Sequence, residues 1–377
     1  MKKICFVATV PDVVHAFLRG HIRTSAKTCL ITIITNSKNA VLLGDLNARL
    51  IPLTIWRKPS PCNDLIALIR LMALFRRERF NLIHSIMPKT GLLSMLAGKL
   101  TGVPVRVHTF TGQVWSNKKG WKRAALKIFD KMIVAFATHI LIDSPSQRDF
   151  LINEGVLPKD KGEVIGYGSI CGVDKYRFYP NHQMREAIRT ELNIGFSQTV
   201  ILFLGRLNRD KGILDLVAAF AEIITRQDQV VLALVGAEED ILFSQIQAIC
   251  GVHHGGLRRV GFTPYPERYM AASDILCLPS YREGFGQVII EAAACGVPTV
   301  ASRIYGITDA VVDGKTGKLF PAGNVAALTQ ILSELIDDHT QRNSMGIAAQ
   351  ARALELFSSE RISSEMIRRY EEMMTCQ

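Results

Sequence analysis

The sequence has no Cys-x-x-Cys pair, no Asp-x-Asp triplet and no Gly-x-Gly-x-x-Gly after its first apolar run. It also has no uninterrupted apolar stretch of membrane-spanning length. Each absence excludes something. The eight cysteines sit mostly in apolar runs (Cys5, Cys29, Cys277, Cys295). They read as reduced core thiols of a cytosolic protein, not as a disulfide frame or a zinc site. Without Asp-x-Asp the usual divalent-metal grip on a nucleotide diphosphate is missing. The adjacent His253 and His254 lie in a glycine-rich loop and have no third ligand at suitable spacing, so no metal is expected. The missing glycine fingerprint argues against an ordinary dinucleotide dehydrogenase. The longest candidate spans fail as well. Leu65–Phe75 is about half a spanning length and carries Arg70, and 124–142 carries Lys127, Asp130 and Lys131. Met1–Val10 imitates a signal peptide, but it is short and Pro11-Asp12 follows without a cleavage pattern, so a first strand is expected there.

What is present is 377 residues, 48% of them hydrophobic, enough for two domains with full cores. Charge is uneven. Residues 1–180 hold 27 Lys+Arg against 11 Asp+Glu, a net of +16, while 181–377 are net −5. A basic half predicts an anionic partner. The sequence pI of about 9.3 is compatible with nucleic acid, but there is no aromatic-basic stacking array or groove-reading helix, and no nucleic-acid partner is expected.

Strand-like runs at Ile4–Ala8, Leu30–Thr35, Leu82–Ser85, Val105–Phe110 and Ile140–Asp143 alternate with helical patterns near 64–78, 90–101, 119–137 and 146–154. A second alternation follows, with strands at Val200–Gly205, Val230–Gly236, Arg258–Gly261, Ile275–Pro279 and Thr299–Ala301. Short, nearly continuous apolar strands between helices predict two doubly wound parallel α/β sheets. The predicted organisation is a first domain over 1–175, a connection over 176–198 and a second domain over 199–358. Three amphipathic helices close the chain, at Asn324–Asp337, Thr340–Phe357 and Ser359–Met374.

Ligands of such sheets gather beyond the carboxyl ends of strands. Arg206 and Lys211 stand there, in a turn between Gly205 and Gly212, where cationic side chains can converge on a diphosphate. The stretch PSYREGFGQVIIEAAACGVPT, Pro279 to Thr299, follows another strand end. It carries Glu283, then Gly284-Phe285-Gly286 at a helix start suited to phosphate, then Glu291 two turns on, and it ends at Gly296 and Pro298. As a loop residue beyond a strand, Glu283 is expected to be largely exposed. His108 ends the strand VPVRVH, also at a ligand-facing position.

The Pro279–Thr299 stretch, with ILFLGRLNRDKG (Ile201 to Gly212), resembles the retaining family 4 glycosyltransferases of the GT-B fold. Weaker matches extend over nearly the whole chain. The resemblance implies two Rossmann-like domains facing across a cleft, with the last helix, about 359–374, crossing back onto the first. It implies a nucleotide diphosphate sugar, UDP-linked by preference, as donor and no cofactor. Arg206 and Lys211 would neutralise the leaving diphosphate, Glu283 would hold the sugar or its oxocarbenium-like charge, and Glu291 would hold the ribose. His108 would lie against the donor sugar. Gly205, Phe262, Gly284, Phe285 and Gly286 complete the donor set. HTFTGQVW (His108 to Trp115) and MPKTGLL (Met87 to Leu93) are similar to the subgroup that builds bacterial surface polysaccharide on polyprenyl diphosphates. The acceptor is then a lipid-linked saccharide at the cytoplasmic membrane face, with Lys89, Thr111 and Gln113 on the acceptor side. A soluble acceptor is the alternative, and a GT-B sugar-nucleotide epimerase a more distant one. One departure stands out. Where many members have a glycine pair after the first strand, this chain has TVPDVVHAF, which leaves Asp12 and His15 to line the acceptor side.

Two segments mix apolar bulk with positive charge. The Leu65 helix presents Leu65, Leu68, Ile69, Met72 and Phe75 ahead of Arg76, Arg77 and Arg79. Trp115 and Trp121 surround Lys118, Lys119, Lys122 and Arg123. Tryptophan beside lysine suits the headgroup zone, which predicts peripheral docking on an anionic membrane.

Overall fold

A computed structural model describes residues 1–36, 46–56 and 58–375. Cys376 of the cysteine set lies outside the described residues; the other seven are all free thiols. The chain forms two compact units, Met1–Gly172 with Ser359–Gln377, and Val173–Ser358. The stretch 176–198, predicted as a connection, lies in the second unit. There its helix His182–Glu191 is anchored by Arg189, which bonds Asp274 at 2.7 Å.

Among the described residues the first unit holds seven parallel strands: β1 (Lys3–Val7), β2 (Leu30–Thr35), β3 (Arg49–Pro52), β4 (Leu82–Ile86), β5 (Val105–Phe110), β6 (His139–Ile142) and β7 (Glu163–Val164). They lie in the order β3-β2-β1-β4-β5-β6-β7. One face is covered by helices Pro61–Glu78, Pro88–Leu100 and Gly120–Phe136 through Leu71, Phe75, Met95 and Ile133. The other is covered by the 11–25 segment and the C-terminal helix Ser359–Thr375 through Leu18, Ile22, Met366 and Tyr370. A polar hub pins this second layer: His84 bonds the Tyr370 hydroxyl at 2.6 Å and Thr109 Oγ1 at 2.7 Å. Burial holds the His84 imidazole well below its ordinary pKa, so it is neutral.

The second unit holds six parallel strands: β8 (Thr199–Leu204), β9 (Val230–Val235), β10 (Leu257–Val260), β11 (Ile275–Leu278), β12 (Thr299–Ser302) and β13 (Gly317–Phe320). They are ordered β10-β9-β8-β11-β12-β13. Strand order therefore reverses between β1 and β4 in one sheet and between β8 and β11 in the other. At such a switch point the flanking loops diverge to opposite faces and leave a crevice beyond the strand ends. Among the described residues no helix is long and apolar enough to cross a membrane.

The segment after β1 differs from a glycine turn. Pro11 opens a helix directly, Val14–Leu18 winds as a π-turn, and Arg19–Ser25 completes it. Single π-turns widen a helix locally and are frequent at functional sites.

Candidate active site

In the second unit, the loops after β8, β9 and β11 form one backbone-packed wall. A Cβ on Gly212 would collide with the Pro279 carbonyl oxygen, and one on Gly236 with the Gly205 carbonyl oxygen. Their φ angles, 66° and 141°, also lie where side chains are disfavoured. Leu207 N–H donates to Ala237 O at 2.8 Å and Glu239 N–H to Leu207 O at 3.2 Å, which extends the β8–β9 pairing into the loops.

This wall gathers charge. Arg206 Nη1 donates to both oxygens of Glu239, at 2.5 and 2.6 Å. Asn208 Nδ2 donates to the same carboxylate at 2.5 Å, while its Oδ1 accepts from Lys211 N–H at 3.0 Å. Lys211 Nζ is ion-paired with Glu283 Oε1, which also accepts from Ser280 Oγ at 2.9 Å. Arg206, Lys211 and Glu283 are thus brought onto one wall. The expected exposure of Glu283 is corrected: its side chain is only 13% exposed, because Lys211 and Ser280 fold over it.

Gly284 and Gly286 are buried at the start of helix Gln287–Ala294. Phe285 points inward, its ring 5.2 Å from that of Phe357, so its side chain is core and only its backbone is left for a donor. Glu291 sits on that helix, partly buried, accepting from Gln287 Nε2 at 3.3 Å. Burial pushes its carboxyl up to about 7. Phe262 is exposed on the loop after β10. At the end of that strand Arg259 donates to the carbonyls of Leu234, at 3.2 Å, and Gly236, at 2.6 Å.

In the first unit, His108 does not end its strand as expected but lies within β5, which runs on to Phe110, and it is buried. Its Nδ1 pairs with Ser85 Oγ of β4 at 2.9 Å, and its ring meets Phe110 edge-on at 4.8 Å. Gly91 of the MPKTGLL segment packs on the imidazole so closely that a Cβ there would overlap Cε1. Burial holds His108 down to about 3, so the ring is neutral at physiological pH. Gln113, farther along the chain, is buried; its Oε1 accepts from Gln147 Nε2 at 3.1 Å, and among the described residues its own Nε2 has no hydrogen-bond partner. Thr111 is partly buried. Lys89 is tied to Asp64 at 2.6 Å and to Lys58 O at 2.6 Å. His15 lies 2.7 Å from Arg19, and Asp12 is exposed in the first turn after Val10.

The surface segments need correction. Trp115 is fully buried and donates to Asp130 Oδ2 at 2.7 Å, stacked on Phe150 at 5.3 Å, so it cannot insert into headgroups. Arg123 covers the Trp115 ring and pairs with Glu154 at 2.7 Å, a structural role. Lys118, Lys119, Lys122 and Trp121 remain exposed, Trp121 at 76%. They continue into Ile128 and Phe129, also exposed on helix Gly120–Phe136. On the Pro61–Glu78 helix Phe75 is core, and the outward apolar residues are Leu65, Ile66 and Ile69.

Asn208, Glu239, Ser280, Ser85 and Gly91 were not singled out from sequence. Gly236 ends β9 as Gly205 ends β8, and that signal marks the Glu238-Glu239-Asp240 run beyond it. Among the described residues no group of three or more His, Cys, Asp or Glu side chains forms a metal-binding cluster.

Residues 31–168 match the family described as Glycosyl transferase 4-like domain, and 184–352 match Glycosyl transferases group 1. The chain is 29% identical to the capsular polysaccharide biosynthesis glycosyltransferase CapM of Staphylococcus aureus, over 97% of this chain and 96% of that one. It is 31% identical to the D-inositol 3-phosphate glycosyltransferase of Arthrobacter sp. (strain FB24), over 73% of this chain and 66% of that protein. The solved structure of Anabaena Alr3699/HepE in complex with UDP and glucose shares the fold, with TM-score 0.84 and 21% identity over 99% of this chain and 100% of that one. Two parallel-sheet units, both domain families in order and a relative matched over nearly its full length agree: the chain belongs to the GT-B glycosyltransferases of family 4.

Proposed function

We propose that the protein transfers a sugar, with retention and without a metal, from a nucleoside diphosphate to a lipid-linked saccharide at the cytoplasmic face of a membrane. The observation that carries the donor half is the wall beyond β8 and β11, where Arg206 pairs with Glu239 and Lys211 with Glu283. Two cations at a glycine-lined helix start match a leaving diphosphate, whose charge grows as the glycosidic bond breaks. UDP is the preferred nucleotide because HepE, of the same fold, was solved with it. Glu283 holds the sugar hydroxyls and the oxocarbenium-like charge, and Glu291 holds the ribose. In a front-face displacement the departing phosphate oxygen takes the acceptor proton, so no separate base is required.

The lipid-linked acceptor is favoured by the likeness, over 97% of this chain and 96% of that one, to CapM, a glycosyltransferase of capsular polysaccharide biosynthesis, and by the exposed Trp121, Ile128 and Phe129 among lysines on the first unit. A soluble acceptor is the second reading, favoured by the likeness to the D-inositol 3-phosphate glycosyltransferase. Acceptor-dependent release of UDP, measured with EDTA present, separates them. Release with a polyprenyl-diphosphate saccharide and not with inositol 3-phosphate is expected. Release only with the soluble acceptor would overturn the lipid half, and strict dependence on Mg²⁺ or Mn²⁺ would overturn the metal-free half.

A further inference from the structure

Neither cation of the donor wall stands alone: Lys211 is paired with Glu283, and Arg206 with Glu239. Glu283 already has a part in the chemistry. Glu239 has none, yet it grips Arg206 with both oxygens and Asn208 with one.

The placement is built by the backbone. The loops after β8 and β9 are bonded through Leu207 and Ala237, at 2.8 Å, and Glu239 N–H and Ile241 N–H both reach Leu207 O at 3.2 Å. Asp240 Oδ1 then accepts from Arg209 N–H at 3.1 Å. The Glu239 carboxylate is thereby presented to the guanidinium from a fixed position. Through Asn208, only 7% exposed, the same carboxylate is linked to the turn that carries Lys211, because Asn208 Oδ1 accepts Lys211 N–H.

The exchange this arrangement allows is cheap. The Arg206 and Glu239 side chains are 44% and 39% exposed, so solvent screens the pair and its net strength is small. A diphosphate offers arginine more charge and more acceptor oxygens, and the guanidinium fork can meet it through two nitrogens where Glu239 engages Nη1. We infer that Glu239 is a positioning residue that holds Arg206 extended in the donor-free enzyme, yields it to the diphosphate, and takes it back as the nucleoside diphosphate leaves. The inference rests on the donor reading above. It adds that a single carboxylate competes with the product and thereby favours release. Every diphosphate that reaches Arg206 meets this competition, whatever its base.

Binding of UDP and GDP by calorimetry tests this with the wild type, Glu239→Gln, Glu239→Ala and Asp240→Asn. Glu239→Gln keeps an amide oxygen for Asn208 but not the charge. It should bind the nucleoside diphosphate about two- to fivefold more tightly, the range of one solvent-screened ion pair. In turnover it should show a lower donor KM together with a lower kcat, since product leaves more slowly. Asp240→Asn removes a neighbouring charge that does not touch Arg206 and should change affinity less than about twofold. Glu239→Ala repeats the test without the bond to Asn208 and should also bind more tightly than wild type. Unchanged or weaker binding by both Glu239 variants would overturn the inference, as would equal tightening by Asp240→Asn. If wild type binds neither UDP nor GDP, the donor reading itself fails, and this inference with it.

Discussion

At the residue scale the proposed donor chemistry falls on two groups of the second unit. Arg206 meets Glu239 in the donor-free protein and the leaving diphosphate in the proposed transition state. Its replacement by alanine should cost roughly 2–4 kcal/mol of transition-state stabilisation, the scale of one preorganised donor. The loss should appear in kcat, and an unchanged kcat would remove Arg206 from the chemistry. Glu291 gives a pH signature. Burial raises its carboxyl to about 7, and only the ionised form can accept from two ribose hydroxyls. Donor affinity should therefore weaken as pH falls below about 7, approaching tenfold per unit. In Glu291→Gln that slope should vanish; a slope surviving in the variant would show that another group titrates.

At the scale of elements, the Pro88–Leu100 helix packs tightly on β5 at Gly91 against His108 and at Gly98 against Arg106. Gly91→Ala overfills that contact and should cost about 1–3 kcal/mol of stability while displacing the imidazole. A melting curve and a turnover assay on the same sample measure both effects. The neutral His108 also makes the first unit acid-labile. Its pKa is depressed to about 3 from an ordinary value near 6.5. In that window the unfolded chain binds the proton and the native one does not. The stability contribution is present above about 6.5 and is lost at about 1.4 kcal/mol per unit as pH falls toward 3. Denaturant titrations between pH 7 and 5 should show this decline, and it should be smaller in His108→Gln.

The Gly120–Phe136 helix and the turn before it form the other element of consequence. With Trp115 and Arg123 assigned to packing, the surface left for the proposed membrane docking is Lys118, Lys119, Lys122 and Trp121 beside Ile128 and Phe129. Each exposed lysine near an anionic leaflet contributes about 1 kcal/mol. Co-sedimentation with phosphatidylserine-containing vesicles should fall steeply with salt. It should be lost when the three lysines are changed to glutamate in a variant that melts like wild type. Undiminished binding by that variant would place the docking face elsewhere.

At the scale of the molecule, the central strands were legible because each is buried on both faces and reads as an apolar run. Leu30–Thr35 and Val105–Phe110 coincide with β2 and β5 to the residue. The edge strands β3, β7 and β13 were not, since Arg49–Pro52, Glu163–Val164 and Gly317–Phe320 are short and interrupted by polar residues. The helical segment from Pro11 escaped notice because its valines suit a strand equally well, and tertiary packing on Ser359–Thr375 decides the matter. In the site, Arg206, Lys211 and Glu283 were legible from their places beyond strand ends. Their carboxylate partners were not: Glu239 reaches Arg206 across 33 positions of sequence. Likewise nothing local to Trp115 shows that Asp130 receives its indole N–H.

The central claim is transfer from a nucleoside diphosphate sugar to a lipid-linked saccharide with retention. Mass spectrometry and NMR of the product formed from an α-linked UDP-sugar and a polyprenyl-diphosphate saccharide test it most directly. The expected result is a lipid product heavier by one sugar, joined by an α linkage, and formed in the presence of EDTA. A β linkage, or no lipid product under conditions where the protein turns over UDP-sugar with a soluble acceptor, would contradict it.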